Sequence, residues 1–402
     1  MLHKVWLHRW LREQHGRGPA IPAPALAQNP ATAPAAPSAR ATSAAPGAAP
    51  TTPRHDAGPG STIADRYGRE RRLGALLAQG GEGSVYCLAD QADALVKIYH
   101  PHVRTARRDL ERKIEAMRRD QDSLNDASLA WPRIAVYVRP GRWVGYAMRR
   151  LQGTSLQTLC QAQLIRERLP GWTRRHLVRT ALSFVEVLSR LHSRGVVVGD
   201  INPRNFLVDA DDCSVRCLDC DSFQVQSRDE VFPCRVMVPE YQPPEVLNAP
   251  AATLRTVRSD RFAAAVMLFR ILMVGQHPYN HAGGEDPASN LLKRRCPLGP
   301  GAPCRLPHGP WETLWKQMPG PVRTLFIQAF REGDLNPDRR PNSRPGAWLW
   351  RTTSRRSTAA DAAAPCSRPR ASLTTSRAAR RDVRRNALRR RWMVSAAPAL
   401  RE

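Results

Sequence analysis

No apolar run of about eighteen residues occurs in the 402-residue chain, so the sequence offers no transmembrane helix. Its N-terminus lacks the apolar core and small-residue cleavage site of a secretory signal. The nine cysteines are odd in number and follow no disulfide spacing, which argues against a secreted scaffold and fits a reducing, cytoplasmic setting. Cys217 and Cys220 make half a zinc site at most, because no second Cys or His pair completes four ligands; buried thiols along a strand are the simpler reading. Acidic residues are scarce, 35 against 62 Lys and Arg, leaving a formal net charge of +27. Such a surplus raises the question of a polyanionic partner. Much of it is concentrated in residues 351–402, where fourteen Arg face three acids and cluster at Arg380-Arg381, Arg384-Arg385 and Arg389-Arg390-Arg391. A basic tail of this kind can make non-specific polyanion contact, although a solvated charge run is the simpler reading. The abrupt loss of hydrophobic periodicity at Arg351 also fits a shifted reading frame.

Apolar content divides the chain. Leu2, Val5, Trp6, Trp10 and Leu11 recur at helical spacing among Lys4, Arg9 and Arg12, so residues 1–16 read as a short basic amphipathic helix for a membrane surface or a partner. Residues 17–62 are a Pro/Ala-rich linker and residues 351–402 an Arg-rich tail. Neither can bury enough apolar surface to offset its ordering entropy, so both are expected to be disordered. One ordered unit, residues 63–350, remains.

Within that unit, an apolar strand at 73–78 leads into Gln79-Gly80-Gly81-Glu82-Gly83-Ser84-Val85-Tyr86. Glycines between two strands let the backbone close over phosphates and aim its amides at them, although a Gly-rich hairpin is also a common plain turn. Residues 94–99 form an apolar strand interrupted by Lys97, an expensive residue to bury without an anionic partner. A charged helix over 105–121 carries Glu111 and Glu115 one turn apart on one face. Strands at 134–138 and 143–148 are joined at Pro140-Gly141. A helix over 176–193, with Leu177, Ala181, Val185 and Leu188 on its buried face, delivers the chain to a polar loop in which Asp200 and Asn205 stand five residues apart. Asp219 ends the next apolar run. Asp and Asn oxygens at such places are hard ligands suited to a divalent cation holding nucleotide phosphates.

In this order the signals resemble a protein kinase. The resemblance implies an α+β, bilobal fold: a small antiparallel β-sheet N-lobe with one helix over residues 63–148, and a mainly α-helical C-lobe over 152–350. It makes Gly80 and Gly83 the second and third glycines of the phosphate loop, with Ala78 at the first. Gly81, Glu82 and Ser84 then line the ATP site, and Val85 covers the adenine. Lys97 aligns the α/β-phosphates and Glu115 steadies it, Glu111 standing in reserve. Met148 guards the back of the adenine pocket, and Arg149 and Leu151 belong to the hinge. Asp200 orients or deprotonates the acceptor hydroxyl. Asn205 and Asp219 hold Mg²⁺, or Mn²⁺ in its place; Asp221 is the competing or additional carboxylate, although hairpin length favours Asp219. Asn202 stands where such kinases carry a catalytic-loop lysine, and Gly199 where they carry the arginine before the catalytic Asp. Structural roles fall to Asp260, which anchors the catalytic loop, and to Glu245 paired with Arg340.

More narrowly, Lys97-Ile98-Tyr99-His100, Ala130-Trp131-Pro132, Gly199-Asp200-Ile201-Asn202 and Asp219-Cys220-Asp221-Ser222-Phe223 resemble bacterial serine/threonine kinases with a C-terminal helix-hairpin-helix region. Members of that group are associated with von Willebrand A-domain proteins and metal-dependent protein phosphatases. No helix-hairpin-helix segment is evident after Trp350. The expected activity is ATP-dependent transfer of a phosphoryl group to Ser/Thr of a protein substrate. The rival readings are a nucleotide-binding pseudokinase scaffold, which Asn202 and Asp221 favour, and a polyanion-binding protein acting through its tail.

Overall fold

Six segments fall into one antiparallel sheet in the first half of the chain. The computed structural model describes residues 57–119, 126–139, 141–227, 230–250 and 253–342. The helix expected over 1–16, most of the 17–62 linker, residues 343–350 and the 351–402 tail lie outside them. Strands β1 (Thr62–Ala64), β2 (Glu70–Gln79), β3 (Gly83–Leu88), β4 (Ala94–Tyr99), β5 (Ile134–Arg139) and β6 (Arg142–Arg149) pair in the order β1-β2-β3-β4-β6-β5. Ala64 opposite Tyr137 closes them into a barrel. Successive side chains of a strand point to opposite faces. On β4, Val96 and Ile98 therefore join Leu73, Tyr86 and Val144 in one core, whereas Leu95 and Tyr99 join Tyr146 and Met148 in a second, larger one. Lys97 shares the face of Leu95 and Tyr99, directly opposite Tyr146 on β6.

Composition misassigned residues 57–62. Ala57 is buried and its carbonyl accepts from the Tyr86 hydroxyl at 3.4 Å, while Gly60 donates to the Leu73 carbonyl at 2.8 Å. A tether that buries a single alanine leaves no periodicity to read. The helix expected over 105–121 is two pieces, α1 (Pro101–Ala106) and α2 (Leu110–Arg119), separated where Arg107 leaves helical geometry at φ −114°, ψ 75°. Leu110, Ile114 and Met117 bury one stripe of α2 at the i, i+4, i+7 positions.

After residue 150 the longest elements are helical. α3 (Arg174–His192) and α4 (Val257–Leu272) pack in the larger core, with Phe262 and Phe269 of α4 against Phe330. Between the two helices in sequence lie the functional loops. β7 (Thr154–Ser155), β8 (Phe206–Val208) and β9 (Val215–Cys217) form a three-stranded sheet, and β10 (Val225–Ser227) pairs with β11 (Glu230–Phe232). Among the described residues no helix is long and apolar enough to cross a membrane.

Close packing of β4 on β6 depends on Gly145, where a β-carbon would stand 1.9 Å from the Lys97 carbonyl oxygen. Gly145→Ala should lower stability by about 2–3 kcal/mol through this backbone clash. The check is urea denaturation, with the midpoint falling at unchanged slope.

Candidate active site

The loop after α3 is shaped by one buried carboxylate. Asp260, in the first turn of α4, accepts from the Val198 amide at 2.7 Å, the Gly199 amide at 2.8 Å and His192 at 2.9 Å. Gly199 takes φ +74°, and a β-carbon there would meet Cys234 at 2.6 Å, so neither backbone nor space admits an arginine at this place. Asp200 follows, 8% exposed. Asn205 donates its amide to the Asp200 backbone oxygen at 3.0 Å and to Asp200 Oδ2 at 3.1 Å. Burial pushes the Asp200 carboxyl up, opposed by Asn202, Asn205, the Val238 amide and then the Arg255 charge. Asn202 does not face outward as a replacement for a phosphate-binding lysine. Its side chain bonds the Asp200 carbonyl at 3.3 Å and the Arg204 amide at 3.0 Å, so both ends brace the loop. Arg255, a buried residue without any sequence signal of its own, contributes a weaker favourable charge to Asp200 and is bonded through its backbone to Gln224.

The β8–β9 hairpin returns the chain to Asn205: Leu218 donates to the Asn205 carbonyl at 2.8 Å, so Asp219 emerges beside Asn205. Asp219 adopts φ +50°, ψ 37° and opens a 3₁₀ turn, Cys220–Ser222. The turn aims two carboxylates at Lys97. The ammonium lies 2.7 Å from Asp219 Oδ1, and 3.0 and 2.8 Å from the two oxygens of Asp221. Asp221 also accepts from Tyr99 at 2.5 Å and Tyr146 at 2.6 Å. Burial alone would depress the Lys97 amine, but Asp221 and then Asp219 hold it charged, well above its ordinary range. Burial likewise works to raise Asp221; Lys97 first and then the two tyrosine hydroxyls overcome it and keep that carboxyl well below the ordinary carboxylate range. Asp219 is raised to about 6, by burial against the pull of Lys97 and with the like charge of Asp221 adding to it.

Two sequence-based assignments need correction here. Glu115 does not pair with Lys97: it binds Arg118 at 2.9 and 3.0 Å and faces a groove of about 660 Å³ between α2 and β10–β11. The reserve, Glu111, approaches Tyr137 at 3.5 Å. The inward position of α2 is Lys113, 1% exposed, its ammonium without a hydrogen-bond partner among the described residues. Spacing from Lys97 could not fix this phase. The Leu110, Ile114, Met117 stripe could have, since residue 113 lies on it and 111 and 115 do not. Nor is Asp221 open to a metal, because four hydrogen bonds occupy its two oxygens.

At the phosphate loop, Gly80 bonds the Gly83 carbonyl at 2.9 Å, and His100 meets the Gly80 carbonyl at 2.9 Å. Gly80 and Gly81 have open space where a side chain would stand, whereas Gly83 is required by packing, its added β-carbon falling 2.4 Å from the Ile98 carbonyl. Glu82 is held by Arg107 at 2.7 Å and comes within 3.9 Å of Lys97. Ser84 is buried, its hydroxyl without a hydrogen-bond partner among the described residues, Val85 is half-buried and Ala78 is exposed. Met148 is buried in the larger core, Arg149 pairs with Ala94 at the end of β6, and Leu151 follows half-buried. Below the loop, Arg340 is buried and forks onto Glu245 at 2.5 and 2.9 Å.

The donor set fits a hard divalent cation. Asp219 Oδ2 and Asn205 Oδ1 accept no hydrogen bond among the described residues, and the Leu218–Asn205 backbone bond brings the two residues to the same end of the hairpin. One carboxylate and one amide suit Mg²⁺, which keeps several waters and shares phosphate oxygens. Among the described residues no group of three or more His, Cys, Asp and Glu is arranged for a metal, and Cys217 and Cys220 are buried free thiols.

The protein kinase domain family matches residues 77–300. The chain belongs to this family. Two relatives, the protein kinase YegI of Escherichia coli O157:H7 and that of E. coli strain K12, are each 28% identical to the chain, over 287 and 288 residues. Those stretches are 69% of this chain and 43% of each relative, so the chain matches less than half the length of either.

Lys113 carries the pH prediction for this kinase domain. Burial lowers its amine from 10.5 to about 8, against the attraction of Asp221; Arg107, Cys234 and Asp109 act less. Below about 8 the folded protein bears a buried charge, while between about 8 and 10.5 the unfolded chain binds the extra proton and stability from this group rises with pH. Lys113→Met should therefore be more stable than the native chain at neutral pH. Its advantage should shrink by about 2 kcal/mol between pH ~7 and ~9.5, read by paired urea titrations.

Proposed function

We propose that the chain is an ATP-dependent protein kinase that transfers the γ-phosphoryl group to a Ser or Thr hydroxyl of a protein substrate. The observation that carries this is the convergence of Lys97, Asp219, Asn205 and Asp200: a fixed cation, an open carboxylate–amide pair, and a buried carboxylate oriented by that same amide. Asn205 and Asp219 would hold Mg²⁺, which supplies positive charge to the transferring phosphate. Lys97 fixes the α/β-phosphates, the Gly80-Gly81 turn closes over them, and Ser84 offers its spare hydroxyl. Asp200 takes or orients the acceptor proton, and its burial makes it a better base than an exposed aspartate. The Arg340–Glu245 fork and the Asp260 anchor keep the substrate-side loops in place.

The same reading sets the chain in bacterial signalling, in the cytoplasm, within the helix-hairpin-helix kinase group. A von Willebrand A-domain protein and a metal-dependent phosphatase would be its functional neighbours. The motif Asp219-Cys220-Asp221-Ser222-Phe223 supports that narrower placement. The basic segment after residue 350 would add non-specific polyanion contact. The pseudokinase reading keeps one favourable observation, the absence of a lysine at Asn202, but Lys97, Asp200, Asn205 and Asp219 are all present at the site.

The test is transfer of labelled γ-phosphate from ATP with Mg²⁺, to the chain itself and to a basic protein. Asp200→Asn should retain nucleotide binding and lower turnover about 10²–10⁴-fold. Labelling equal in both proteins, or absent from both while nucleotide binds, would overturn the enzymatic reading.

A further inference from the structure

The cation of the site has a carboxylate partner, but from an unexpected element. In kinases of the ordinary pattern the lysine of this strand is paired by a glutamate on the N-lobe helix, and moving that helix makes or breaks the pair. Here α2 presents no carboxylate to Lys97. Glu115 is turned onto Arg118, Glu111 onto Tyr137, and the inward position is the cation Lys113, which repels a second ammonium. Asp221, two residues beyond Asp219 in the C-lobe, meets Lys97 with both oxygens instead.

We infer that Asp221 is the residue that positions Lys97 for nucleotide phosphates, in place of a glutamate on α2. The inference rests on the kinase reading above. Its basis is a built cage. Tyr146 stands directly across from Lys97 in the β4–β6 register, and Tyr99 lies two residues along the same face of β4. Their hydroxyls donate to opposite oxygens of Asp221, at 2.6 and 2.5 Å, so the carboxylate is fixed on both sides of the ammonium. On the other side, Ser222 ties the 3₁₀ turn to the Asp219 carbonyl through its hydroxyl at 2.8 Å and its amide at 3.0 Å. Asp221 is 1% exposed and has no acceptor site left, whereas Asp219 keeps one oxygen open. The two carboxylates therefore divide the work: Asp221 holds the lysine and Asp219 remains available to a cation. A consequence is that the placement of Lys97 follows the junction between the lobes rather than the rotation of α2. Helix displacement, the usual way to switch such a site off, would leave this lysine in place.

The test compares binding of ATP with Mg²⁺ and of adenosine by calorimetry on the full chain, because Lys97 acts on phosphates and not on the base. Asp221→Asn should reduce the preference for ATP over adenosine by about tenfold or more, with adenosine affinity retained. Glu115→Gln and Glu111→Gln should each leave it within about twofold. Tyr146→Phe, which keeps the carboxylate but removes one of its supports, should give a smaller loss and guards against a folding failure of Asp221→Asn. In a Lys97→Met background, Asp221→Asn should cost nothing further, which a merely structural role would not predict. A preference lost in Glu115→Gln, unchanged in Asp221→Asn and Tyr146→Phe, or lowered by Asp221→Asn equally with and without Lys97, overturns the inference while leaving the kinase reading intact. A native chain that binds ATP no better than adenosine overturns both.

Discussion

An ammonium group in the middle of an apolar strand must be neutralised where it stands, and the architecture of this protein can be followed outward from how Lys97 meets that requirement. Its neighbours on β4 commit the strand to two cores, Val96 and Ile98 to one, Leu95 and Tyr99 to the other. The lysine cannot reach bulk water from there, being 7% exposed. Two carboxylates from beyond the β8–β9 hairpin supply the countercharge, and two tyrosines of the sheet satisfy what remains of Asp221. Breaking one partner of such a buried set is costly because it leaves the others desolvated and unpaired. The same ion pair therefore fastens the lobes together and assembles the site.

The loop that carries Asp200 depends on a third carboxylate with a similar logic. Asp260 gathers the amides of Val198 and Gly199, and that constraint turns Gly199 into the left-handed region against Cys234. The arginine usual at this position has no room. Arg255 lines the same space, its Cγ 3.3 Å from where a Gly199 β-carbon would stand, and its charge is the last and least of the influences that lower Asp200.

Much of this was legible in the sequence because it is written in short, chemically costly words. A lysine inside an apolar strand is costly and marks itself, whereas an Asp and an Asn five residues apart and an aspartate opening an apolar helix are locally ordinary and gain meaning from their order along the chain. The apolar run of residues 94–99 and the long periodic helix into the loop likewise placed the strand and α3. Three things were not legible. The partner of Lys97 was sought on α2 by spacing, although the helix phase set by Leu110, Ile114 and Met117 points Lys113 inward. Tyr99 and Tyr146 carried no signal of a polar role, since nothing local marks a hydroxyl that will be used by a residue more than seventy positions away. The ordered residues 57–61 carry the composition of the linker before them, and a single buried alanine does not change a composition.

The central claim is that these residues form one Mg²⁺-dependent nucleotide site. Titration of ATP into the full chain by calorimetry, with Mg²⁺ and then with a chelator, tests it most directly. A single site is expected, with affinity falling when the metal is withdrawn, because Asp219 and Asn205 would hold the cation whose charge offsets that of the phosphates. Absence of binding, or binding indifferent to the metal, would contradict it.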